Sequence, residues 1–136
     1  MDFEVLGETL DDAVGEAYDK VAKVCGLEYP GGPIVDRLSK LGSDTYDLPM
    51  PLDDDSYNFS FSGIKSAVIN LIHNETQRGN EIRVNDMCNS FQERVVSVLT
   101  KKTMRAISEY GVKNLVLAGG VAANSYLRQR LEEECN

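Results

Sequence analysis

Histidine and cysteine are scarce in this sequence, and neither is spaced for metal or nucleophilic chemistry. The one histidine, His73, has no second histidine four residues on, so it forms no zincin-type site and reads as a surface residue. Cys25, Cys88 and Cys135 are odd in number, far apart and without a CxxC pair. That argues against a disulfide scaffold and a structural zinc site, and for reduced thiols in a cytoplasmic protein. No apolar run is long enough to span a bilayer, and no secretory h-region follows Met1. Basic residues are outnumbered: 14 Lys and Arg stand against 22 Asp and Glu, a net charge of −8. This argues against a broad basic surface for nucleic acid, although not against a small basic patch or a basic partner domain. Lys101, Lys102 and Arg105 read as a solvated helix face. There is no internal repeat, no low-complexity segment, and no Ser-His-Asp or Cys-His arrangement.

What the sequence does hold is a core and two glycine turns. Its 136 residues suit one domain, and 42% of them are hydrophobic. Residues 3–7 read as a short strand ending at Gly7. The spacing of Ala13, Ala17, Val21 and Val24 predicts a helix from Thr9 to Cys25, stopped by Gly26. Asp11, Asp12 and Glu16 suit its N-terminal end. Pro33 fits the first position of a second helix, with Ile34, Val35, Leu38 and Leu41 on one face. Residues 42–58 read as loop, and Phe59 and Phe61 alternate with serines as in a short extended piece. Ser62 reads as the N-cap of a third helix through Ile64, Val68 and Ile72. After the polar break at 77–80, a long helix is expected from about Asn85 to Tyr110. Its apolar stripe is Val84, Met87, Cys88, Phe91, Val95, Val98 and Leu99. Residues 115–118 read as a buried strand, and a last helix opens near Asn124 and runs through Leu127 and Leu131.

The expected fold class is therefore α/β, rich in helix and poor in strands. The chain divides into a first helical part (1–42), a loop and helix (43–80), and a long helix, strand, turn and helix (81–136). One parallel-type strand needs neighbours that this inventory does not supply, which predicts a piece of a larger protein.

Two turns can receive a ligand. Leu-Val-Leu-Ala-Gly-Gly-Val-Ala-Ala-Asn (115–124) runs from a strand through Gly119 and Gly120 to a helix start. Glycine lets a ligand approach the main chain, and a helix N-terminus favours negative charge. The same turn can equally be a tight connection with no ligand, and it is neither GxGxxG nor a P-loop. Asn124 can cap the helix or offer its amide to a ligand. Tyr29-Pro30-Gly31-Gly32-Pro33 makes a second possible anion or ribose site, with Asp36 one turn into the helix it opens. Asp19 and Lys20 read first as an exposed charged pair.

Taken together, the motifs Gly7-Glu8-Thr9-Leu10-Asp11-Asp12-Ala13-Val14-Gly15-Glu16-Ala17-Tyr18-Asp19-Lys20, YPGGP at 29–33, FSFSGIK at 59–65 and GGVAAN at 119–124 closely resemble the central part of the TsaD/Kae/Gcp family. These are tRNA adenosine threonylcarbamoyltransferases, formerly called O-sialoglycoprotein endopeptidases. The resemblance implies a partial actin-like ATPase/sugar kinase/Hsp70-type fold from a two-lobed enzyme. It implies transfer of a threonylcarbamoyl group from threonylcarbamoyl-adenylate to N6 of the adenosine beside the anticodon, with partner proteins and a divalent metal, iron or zinc. Residue by residue, Asp19 matches a substrate-binding aspartate and Gly32 a nucleotide-contacting glycine. Asp36 matches a carboxylate on the ribose, and Asn124 an asparagine on the adenylate, with Gly119 and Gly120 allowing close approach. No catalytic residue and no metal ligand is carried over: the family's HxxxH, its SGGHT-type loop and its later metal-binding aspartate have no match here. The isolated chain is accordingly expected to be inactive, and threonylcarbamoyl transfer to tRNA by it alone would overturn that. Two other readings are a metallopeptidase, for which the ligand set is missing, and an acidic interaction module for partner subunits or a homodimer.

Overall fold

The computed structural model describes residues 14–28, 30–51 and 60–110, together with residues 130 and 133. Four helices follow in order: α1 (Val14–Val24), α2 (Gly31–Ser39), α3 (Ser62–Gln77) and α4 (Val84–Tyr110). Among the described residues there is no strand. The strands expected at 3–7 and 115–118, the first turn of the helix expected from Thr9, and Phe59 lie outside them. Ser60 and Phe61, which do lie within them, are irregular rather than extended-paired.

The long helix α4 is the wall against which the rest packs. Its stripe was legible from spacing: Met87, Cys88, Phe91, Val95, Val98 and Leu99 are all buried. Helix α2 lies on α4, and α1 packs on both α2 and α3. Ala17, Tyr18, Val21 and Ala22 fill the side of α1 that faces this core, Val35 enters from α2, and Ile64 and Val68 from α3. Tyr18 meets Phe91 edge to face, with ring centroids 5.0 Å apart and planes at 77°.

The helix ends follow local chemistry. Gly26 takes φ +75°, and the N–H groups of Gly26 and Leu27 return to the carbonyls of Lys23 and Ala22. This pair of bonds satisfies carbonyls that the end of α1 would otherwise leave open. Helix α2 begins two residues before Pro33, with Pro30 as its N-cap. Pro33 still falls in the first turn, where a missing N–H costs nothing. Leu41 lies beyond α2 and is 70% exposed, so it does not share the face of Val35. Phe61, not Ser62, stands at the N-cap of α3, with no side-chain cap. The phenylalanine is buried, and its anchoring in the core sets where the chain turns into helix.

Lys102 corrects the expected solvated face. It is 1% exposed, whereas Lys101 is exposed and Arg105 half-buried. Position 102 continues the row 91, 95, 98, 102, so helical spacing carries it inward whatever its type. His73 is exposed on α3, as expected.

The loop after α2 is fastened to α4 by residues four apart on one helix face. Asp86 accepts from the Ser43 N–H and the Thr45 hydroxyl, each at 2.8 Å, and from Arg83 at 3.1 Å. Ser90 donates to Asp44 at 2.7 Å and accepts from the Tyr46 N–H. Arg94 donates to Asp44 at 2.7 Å and to the Leu48 carbonyl at 2.9 Å. The Ser43 N–H, with Thr45 and Arg83, holds the Asp86 carboxyl below its ordinary value. Burial pushes Asp44 upward, but its bonds from Arg94 and Ser90 outweigh this and hold it low as well. A carboxyl depressed in the folded state adds stability above its unfolded pKa, and that stability is lost as pH falls through the folded value. Thermal unfolding should therefore be insensitive to these groups near neutrality and decline as pH drops below about 4. Asp86→Asn should make that decline shallower; an identical acid profile would show that the loop is not held this way.

Candidate functional site at the α1–α2 junction

Three of the six residues expected to bind substrate lie in the described structure, and α1 and α2 bring them together. Asp19, on α1, reaches across to the start of α2, where its Oδ1 accepts the Gly31 N–H at 2.7 Å. It is therefore a cap for the neighbouring helix rather than half of an exposed pair. That N–H is one of those at the start of α2 without an intrahelical partner, and a carboxylate there also meets the positive end of the helix dipole.

The two glycines of the turn differ. A Cβ on Gly31 would stand 2.6 Å from the Tyr18 carbonyl oxygen and 2.8 Å from the Asp19 Cα. Gly31 is thus required for α1 and α2 to approach. A Cβ on Gly32 would meet no atom of the described residues within 4 Å. The space beside Gly32 is open, and Asp36 follows four residues later on the same side of α2.

Asp36 is held from the interior. Its Oδ1 accepts from Gln92 Nε2 at 3.0 Å, and its Oδ2 lies 3.9 Å from Lys40 Nζ. Gln92 Nε2 also donates to Ser39 Oγ at 2.8 Å, while its Oε1 accepts from the Tyr18 hydroxyl at 3.0 Å. Tyr18, Ser39 and Gln92 are all buried. This network was missed in the sequence, although a signal was present: position 92 falls inside the apolar stripe, between Cys88 and Val95. A polar side chain there must find partners or forfeit its hydrogen bonds.

The arrangement has a definite chemical preference. Two carboxylates flank an open backbone segment, and the first N–H of α2 is already taken. Such a site accepts hydrogen bonds from hydroxyl groups and repels phosphate, so of the anion and ribose readings of this turn it suits the ribose. Gly119, Gly120 and Asn124 lie outside the described residues. Arg130, six residues past Asn124, pairs with Glu93 of α4 at 3.0 Å.

The two described thiols are chemically quiet. Burial pushes Cys25 up to about 11. Burial, with Cys25 nearby, pushes Cys88 up to about 12. Both are protonated near neutral pH and poor metal ligands. Among the described residues no three of His, Cys, Asp and Glu stand together as a metal site. No described helix is long and apolar enough to cross a membrane.

Comparison with known proteins then decides the family. The family described as TsaD, tRNA N6-adenosine threonylcarbamoyltransferase, matches residues 1–136. The chain belongs to the TsaD family. The tRNA N6-adenosine threonylcarbamoyltransferase of Bacillus subtilis is 60% identical over 133 residues, which cover 97% of this chain and 38% of that protein. That of Bacillus cereus is 62% identical over 133 residues, covering 97% and 39%. That of Staphylococcus aureus is 59% identical over 136 residues, covering 99% and 40%. The chain thus spans about two fifths of the length of these TsaD relatives.

Proposed function

We propose that this chain is the central, adenylate-holding part of a longer, two-lobed enzyme with an actin-like fold. That enzyme transfers a threonylcarbamoyl group from threonylcarbamoyl-adenylate to N6 of the adenosine beside the tRNA anticodon. The observation that carries the proposal is the pair Asp19 and Asp36 around the open Gly32 backbone, in a chain of this family. In the reaction, the N6 amine attacks the activated carbamoyl carbon. A C–N bond forms, the bond from that carbon to the AMP phosphate oxygen breaks, and the amine loses a proton.

This chain's share is to bind and orient. Asp36 takes a ribose hydroxyl, the Gly32 main chain lets the nucleotide come close, and Asp19 fixes the turn that presents both. Asn124, with Gly119 and Gly120, takes the other side of the adenylate. Arg130, six residues past Asn124 in sequence, pairs with Glu93 of α4, which is consistent with this reading. Holding the adenylate in a reactive orientation removes part of the entropic barrier to attack. The divalent metal implied by the family resemblance finds no fitting donor set among the described residues, and no step assigned to this chain runs through it.

The test is an AMP titration of the full-length protein. Asp36→Ala and Asn124→Ala should each weaken AMP by about tenfold, the effect of losing one or two hydrogen bonds worth roughly 1–3 kcal/mol. Threonylcarbamoyl transfer should fall with it. Unchanged AMP affinity in both variants would remove the site.

A further inference from the structure

Gln92 is 2% exposed, and its amide joins three helices. It accepts from Tyr18 of α1 and donates to both Asp36 and Ser39 of α2. A carboxylate can only accept, so the nitrogen of the amide must face Asp36 and the oxygen must face the tyrosine hydroxyl. Both N–H groups are then used, and the amide has one orientation.

We propose that Gln92 is a positioning residue for ribose recognition, fixing the Asp36 carboxylate so that it presents a set direction to a ribose hydroxyl. The inference rests on the adenylate reading of the site. The terminal torsion of an aspartate is broad, so the backbone does not choose a carboxylate orientation. The bond from the buried Gln92 amide favours one direction. It also competes with Lys40, which stands 3.9 Å from the other oxygen and is largely exposed. Without the Gln92 donor, the pull of that ammonium on the carboxylate is less opposed. Tyr18 and Ser39 hold Gln92 in turn, which makes the carboxylate's direction a property of the α1–α2–α4 packing.

The experiment titrates the full-length protein with AMP and with 2′,3′-dideoxy-AMP and reads the preference for AMP. Gln92→Met keeps the length and apolar packing of the side chain but donates no hydrogen bond. It should lower the preference by roughly three- to tenfold, the range expected for one misplaced hydrogen bond, and leave dideoxy-AMP affinity unchanged. Asp36→Ala should abolish the preference, and adding Gln92→Met to it should change nothing further. Tyr18→Phe loosens Gln92 without touching Asp36 and should lower the preference by about two- to threefold. If Asp36→Ala keeps the wild-type preference, the ribose reading itself fails. If Asp36→Ala loses the preference while Gln92→Met and Tyr18→Phe keep it, the positioning role alone fails. Equal weakening of both ligands by Gln92→Met would make Gln92 merely structural and overturn the inference.

Discussion

Gly31→Ala should destabilise the protein by about 3 kcal/mol, whereas Gly32→Ala, one residue on, should change stability by no more than about 0.5 kcal/mol. The added methyl at 31 would lie 2.6 Å from the Tyr18 carbonyl oxygen and 2.8 Å from the Asp19 Cα. Both are main-chain atoms inside a helix, and neither can swing aside as a side chain would. Relief therefore means moving α2 away from α1, which stretches the Asp19–Gly31 bond and opens the packing around Tyr18. At 32 the methyl enters open space, and alanine is the better helix former. Under the proposed adenylate reading, Gly32→Ala should nonetheless weaken AMP binding, because its methyl would fill the space proposed for the nucleotide's approach. Urea unfolding of both variants, with AMP titration of the stable one, checks the pair. Equal stability losses at the two positions would contradict the packing described for this turn.

Phe91→Ala should cost about 3–5 kcal/mol, the range for deleting a fully buried aromatic ring. Phe91 is 0% exposed in the N-terminal third of α4 and carries the edge-to-face contact with Tyr18. A cavity there removes the contact that seats α1, and with it the support for Asp19. Since a domain of this size is stable by roughly 5–15 kcal/mol, the variant should lose a large share of its stability. Denaturant midpoints followed by circular dichroism give the measurement. A loss below about 1 kcal/mol would mean that α1 does not depend on this core.

Local pattern made much of the fold legible. The 3–4 spacing of Met87, Cys88, Phe91, Val95, Val98 and Leu99 marked the buried face of α4, and Gly26 and the 77–80 break marked helix ends that the structure contains. The same spacing also carries Lys102 and Gln92 inward, against what their residue types suggest. By type the lysine reads as solvated, although a helix turns by the same angle whatever it carries. Other features depend on register between distant segments and had no local signal. Asp86, Ser90 and Arg94 match a loop more than forty residues earlier. Which of two adjacent glycines is a packing requirement depends on where Tyr18 of another helix lies. Asp19 shows the same limit: on its own helix it is one charge among several, and only the approach of α2 gives it a partner.

The central claim is that the α1–α2 junction holds the ribose of an adenylate. A crystal structure of the full-length protein with AMP tests it most directly. The account predicts a ribose hydroxyl about 2.5–3.0 Å from an Asp36 carboxylate oxygen, with the nucleotide against the Gly32 main chain. AMP bound with its ribose away from Asp36, or with its phosphate at the start of α2, would contradict it.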